Sequence, residues 1–101
     1  MEIINIDITN IDKLAVKKIY DMVSAYNSSV AIDLKCVKTC VAEFFMMLSS
    51  LKNKVSLVNV DSTILATLYM TGYDKYVRVF EDNLSLSMDR YEIIKRRFVL
   101  L

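Results

Sequence analysis

The stretch Val30-Ala31-Ile32-Asp33-Leu34-Lys35-Cys36-Val37 decides the fold. Its first five residues are almost continuously apolar, which marks a strand covered on both faces. Such a strand belongs in the middle of a sheet, so the sequence on either side must supply its neighbours and the layers that cover them. Upstream, Ile3, Ile4, Ile6 and Ile8 read as a short strand, because β-branched side chains suit a pleated, partly buried surface. From Ile11 the period changes. Ala15, Ile19, Met22, Val23 and Tyr26 recur at helical spacing and predict a first helix over about residues 11–26, with Thr9 or Asn10 placed to cap it.

Downstream, Val41, Phe44, Phe45, Leu48 and Leu51 share one face of a second helix, and Glu43, Met46, Met47 and Ser50 point elsewhere. Val55-Ser56-Leu57-Val58-Asn59-Val60 is the next strand. Asp61 or Ser62 then caps a helix through Ile64, Leu65 and Leu68, and Gly72 closes it by accepting a left-handed conformation. Tyr76-Val77-Arg78-Val79-Phe80 supplies a last strand. The segment over about residues 83–98 reads as a terminal helix with Leu84, Met88, Tyr91, Ile94 and Phe98 apolar. Strand and helix thus alternate four times, which predicts an α/β fold with right-handed crossovers and a mainly parallel sheet. The pattern leaves open whether helices cover one sheet face or both.

With 101 residues the chain has the length of one domain and can bury a sufficient core without disulfides or metal. At 54% apolar and 25% charged it is too hydrophobic for disorder and too charged for a membrane span. There is no Pro, a single Gly and no spacer of biased composition, so one domain over 1–101 is expected. Thirteen basic against twelve acidic residues leave a charge of +1, too weak a field to predict nucleic acid or anionic membrane as a partner. The cluster Arg90, Lys95, Arg96 and Arg97 is interrupted by Asp89 and Glu92. No apolar run approaches the roughly 20 residues that span a bilayer, and the start lacks a signal-peptide pattern; a cytoplasmic location is expected.

Cys36 and Cys40 fit a reducing compartment as small apolar residues, one or both of them expected to be buried in a strand-to-helix turn. With no His in the chain, a zinc site built on them would be poor, and no metal or cofactor is expected. The same lack removes the commonest general base, and no Gly-rich loop exists to cradle phosphate, so no enzymatic activity is expected. Asp33, at the carboxyl end of the central strand, is read as an acceptor capping the turn that follows.

From Val30 to Leu51 the sequence resembles the STAS domain, the anti-sigma-factor antagonist type. The apolar run ending in Asp33-Leu34 resembles that family's central strand, residues 55–60 its next strand, and Leu68-Tyr69-Met70-Thr71-Gly72-Tyr73-Asp74-Lys75-Tyr76 its Leu-x-x-x-Gly-x-x-x-aromatic segment. Order and spacing over roughly residues 3–98 carry the likeness. It implies a four-to-five-stranded, mostly parallel sheet with helices mainly on one side. It also implies a non-catalytic module that binds a regulatory protein through the loop and N-terminal half of helix two. By this resemblance the partner-binding residues are Thr39, Cys40, Ala42, Glu43, Met46 and Met47.

Bacterial members of the family carry Asp-Ser-Ser/Thr-Gly at the opening of helix two, where an anti-sigma kinase phosphorylates a hydroxyl. Counted from Asp33-Leu34, that motif falls on Val41-Ala42-Glu43-Phe44, which has no hydroxyl. The usual phosphoserine switch is therefore not expected there. Thr39, the nearest hydroxyl, is read as a helix cap. Phe44 and Met46 stand where relatives often have Gly, which implies a bulkier contact surface. The family also opens with a hairpin, and this chain has room for one strand.

Glu43 has two readings: a carboxylate at the positive end of the helix dipole, or a fixed negative charge where relatives acquire one. At least one of Met46 and Met47 is expected to face solvent as an adaptable contact, and Met47→Glu is expected to spare the fold. The implied partner is an anti-sigma kinase or a related regulator of transcription. A first alternative is an accessory subunit that binds the ATPase of an ABC-type lipid transporter; a second is a small-molecule or nucleotide-binding domain. The apolar end Phe98-Val99-Leu100-Leu101 either docks on the domain or makes a homodimer with a second copy.

Overall fold

In chain order the elements are β1 (Glu2–Asn5), β2 (Asn10–Ile11), α1 (Lys13–Ser24), β3 (Val30–Asp33), β4 (Thr39–Cys40), α2 (Ala42–Ser50), β5 (Val55–Val58), α3 (Ser62–Thr71), a 3₁₀ turn (Tyr73–Lys75) and β6 (Arg78–Phe80). They come from a computed structural model, which describes residues 2–51 and 54–81. The terminal helix expected over 83–98 and the tail Phe98–Leu101 lie outside the described residues.

The main sheet has the order β1-β3-β5-β6 with every pair parallel. Because the strands lie side by side in chain order, right-handed crossovers place α1, α2 and α3 on the same face. Ile4, Ile32, Leu57 and Val79 form one register row across the four strands. All four are buried in one core with Ile19 and Val23 of α1, Phe44 and Leu48 of α2, and Leu65 and Leu68 of α3. In β3 the alternate residues Ala31 and Asp33 are also buried, so the central strand is covered on both faces as its apolar run predicts.

Several boundaries differ from the sequence pattern, each for a local reason. Ile11 belongs to β2, a short strand parallel to β4, so the chain start holds two strands where one was expected. The carbonyl of Thr9 accepts the Lys38 and Thr39 N–H groups at 2.7 and 3.1 Å, which ties residues 9–11 to the loop before α2. The cap of α1 is consequently Asp12, whose carboxylate accepts the Ala15 N–H at 2.9 Å, rather than Thr9 or Asn10. Strand β5 stops at Val58 because Asn59 turns to φ 56°, a left-handed conformation that Asn tolerates better than most residues. Helix α3 begins at its Asp61 cap and ends at Gly72, φ 80°, as read from the sequence. Among the described residues no helix is long and apolar enough to cross a membrane.

Candidate functional site

The loop between β3 and α2 is held from its first residue. Asp33 is 3% exposed, and its Oδ1 accepts the Lys35 N–H at 3.0 Å and the Asn59 side-chain amide at 3.1 Å. Those partners make burial of the carboxylate tolerable and lock the loop to the exit of β5. The expected turn-capping role of Asp33 is thus present. Leu34 and Val37 are fully buried, and the Leu34 N–H reaches the Val58 carbonyl at 3.0 Å.

Next comes the β2–β4 ladder, which aims the chain into α2. The Thr39 hydroxyl donates to Asn10 Oδ1 at 2.7 Å, and the Val41 N–H donates to the Ile11 carbonyl at 3.0 Å. Thr39 is therefore a bridge between short strands and not the helix cap read from the sequence. The cap position is Val41, extended and without a side-chain cap bond. Cys40, the partner of Thr39 in β4, is half-buried opposite Ile11, and burial pushes its thiol up to about 11. A thiol with that value stays protonated near neutrality and is a poor nucleophile.

At the mouth of α2, Ala42 is exposed and Glu43 is half-exposed, its carboxylate 3.4 Å from Lys13 Nζ at the start of α1. One turn on, Met46 is 55% exposed. Met47 is 8% exposed and sits in the core with Phe44 and Phe45. The expectation that one of the two methionines faces solvent is met by Met46. The companion expectation, that Met47→Glu spares the fold, is corrected: Met47 lies on the flank of the helix that closes over the sheet. Phe44 is likewise fully buried, so its bulk fills the core, and the bulkier contact surface comes down to Met46.

The six sequence-selected residues thus divide. Ala42 and Met46 are exposed and Glu43 half-exposed at the start of α2, Thr39 is exposed and Cys40 half-buried in the strand pair that precedes it, and Met47 is core. Lys13 and Asn59 escaped the sequence reading. Lys13 is thirty positions from Glu43 with no local signal to join them; Asn59, an Asn ending an apolar strand, carried a recognisable turn signal. Cys36 and Cys40 are free thiols, and no group of three His, Cys, Asp or Glu side chains could hold a metal ion among the described residues. An open depression of about 190 Å³ is lined by Ile6, Asp7, Ile8, Ala15, Lys18 and Met22, among others, with no residue of α2. That is below the roughly 300 Å³ at which ligand pockets begin.

No family profile, curated protein or solved structure matches the chain.

Proposed function

We propose that this chain is a non-catalytic protein-interaction module of the STAS type, which captures a regulatory protein on the N-terminal half of α2 and works without a phosphoserine switch. One observation carries the reading: Ala42 and Glu43 occupy the first turn of α2 beside the exposed thioether of Met46, where the resemblance places a phosphorylatable hydroxyl. The surface offers a methyl group, an ion-paired carboxylate and a flexible apolar side chain, all suited to contact. The side-by-side parallel sheet with helices on one face agrees with the architecture that the resemblance implies.

The partner is an anti-sigma kinase or a related regulator. The transporter reading keeps the same surface and changes the partner to an ATPase subunit. Calorimetric titration of the purified chain against an anti-sigma kinase, and separately against the ATPase subunit of a lipid ABC transporter, discriminates between them. Binding to one of the two is expected, with at least about tenfold loss of affinity in Met46→Glu, the effect of removing one apolar anchor. Binding to neither protein, or equal affinity of variant and wild type, defeats the proposal.

A further inference from the structure

The main sheet has a second face, which is buried although no described helix lies on it. The register places Ile3, Ala31, Ser56 and Arg78 in one row and Asn5, Asp33, Val58 and Phe80 in another, both on the side away from α1, α2 and α3. Ala31 and Val58 are 0% exposed, Phe80 2% and Ser56 3%. Ala31, Val58 and Phe80 nevertheless stand outside the core that the three helices close over. Among the described residues every α-helix joins consecutive parallel strands, and so lies on the opposite side of the sheet.

A single chain buries these residues, so their cover belongs to the chain itself. Outside the described residues lie residue 1, residues 52–53 and residues 82–101, and only the last stretch is long enough to form a layer. The burial also has a direction. It is complete on β3 and β5, holds for Phe80 on β6, and is lost on β1, where Ile3 is 40% exposed and Asn5 is exposed. One helix, about 10–12 Å across, covers two to three strands spaced about 4.8 Å apart. A cover one helix wide, reaching from β6 to β3 and stopping short of β1, accounts for that gradient. Strand β6 is also the one from which residues 82–101 continue.

We infer that the segment 83–98 docks as an amphipathic helix on the second face, over β3, β5 and β6, and makes the sheet the middle of three layers. Leu84, Met88, Tyr91, Ile94 and Phe98 fall within about 120° on a helical wheel, a stripe suited to Ala31, Val58 and Phe80. About 16 residues give about 24 Å of helix, longer than the strands it crosses, which have three or four residues each. The sequence pattern expects no strand after this segment, so no crossover ties it to the first face. The same cover encloses Asp33, whose carboxylate holds the loop into α2 through the Lys35 N–H and the Asn59 amide. Water admitted to that carboxylate competes for both bonds, so the docked segment steadies the loop that leads to the proposed contact surface. The inference stands whether or not that surface captures a regulatory protein.

Nuclear Overhauser contacts in the isotope-labelled full chain test this. The methyl protons of Ala31 and Val58 are expected to contact protons of Met88, Tyr91 or Ile94. A mixture of labelled and unlabelled chains is expected to show those contacts within one chain only. No such contact, or contact between chains, overturns the inference and leaves the partner reading untouched. Hydrogen exchange in Ile94→Lys, and in Ile94→Ala as a milder variant, gives a second reading, with circular dichroism to verify folding. The Lys35 amide is expected to exchange at least about tenfold faster than in the wild type, as local opening of the loop requires. Exchange at the wild-type rate in both variants overturns the link between the cover and the loop.

Discussion

Helices α1 and α2 lie against the same sheet and differ in almost everything but their neighbours. Helix α1 buries Val16, Ile19 and Val23, shows Lys13, Lys17 and Lys18 to solvent together with Leu14, Tyr20 and Met22, and has its first turn capped by Asp12. Helix α2 buries Phe44, Phe45, Met47 and Leu48, opens on an uncapped Val41, and shows Ala42 and Met46 to solvent. A helix with apolar residues around most of its circumference is held by packing, since its ends and surface contribute little. The difference teaches where each helix is vulnerable: α1 at its cap, α2 in its core, with the outer face of α2 left available for contact.

The largest expected effect tests the inner face of α2. Met47→Glu places a carboxylate in the core position of a side chain that is 8% exposed. Loss of a buried Met side chain alone costs about 2–5 kcal/mol, and an unpaired buried charge adds to it. Against a total stability of about 5–15 kcal/mol, the variant is expected to be largely unfolded by circular dichroism and urea titration. Met46→Glu, its immediate neighbour, should stay within about 0.5 kcal/mol of wild type, as exposed substitutions do. Similar stabilities for the two variants would erase the division of α2 into a buried and a free face.

Why this division was only half legible is instructive. The strand pattern fixed the sheet well, because a nearly continuous apolar run such as residues 30–34 has few other stable placements. The pattern 44, 45, 48 points α2 at the sheet, but residue 47 lies only about 60° from residue 44 on a helical wheel at 100° per residue. Whether it is covered depends on how closely neighbouring elements approach, and periodicity does not encode that distance. The β2–β4 ladder was hidden for another reason. A pair of two-residue strands has no alternation to detect, and its partners Asn10 and Thr39 are both polar. Ala42, Glu43 and Met46 could be picked out because the resemblance counts forward from Asp33-Leu34, a fixed point that the structure holds with two hydrogen bonds to one carboxylate oxygen.

A smaller effect tests the start of α1. Asp12→Ala removes the acceptor for the Ala15 N–H and should cost about 1 kcal/mol, within the range measured for such caps. Asp12→Asn retains the acceptor oxygen and is expected to recover most of that loss in the same urea titration. A cost below about 0.2 kcal/mol for Asp12→Ala would mean that α1, like α2, is held by packing alone, and the contrast between the helices would shrink to their surfaces.

The smallest effect concerns the one contact that joins the two helix openings. Lys13 and Glu43 are 3.4 Å apart, but their side chains are 80% and 43% exposed, so solvent and salt screen most of the attraction. The coupling energy in a double-mutant cycle of Lys13→Met and Glu43→Gln should be about 0.5 kcal/mol or less at low salt and vanish near 0.5 M. Glu43→Gln alone should cost somewhat more, because the carboxylate also faces the positive end of α2, an interaction of about 0.3–1 kcal/mol. A coupling above about 1.5 kcal/mol would make Glu43 a structural tie between the helices and withdraw it from the contact surface. A weak coupling leaves its charge free to be re-paired by a partner, since a Lys13 this exposed can be displaced at little cost.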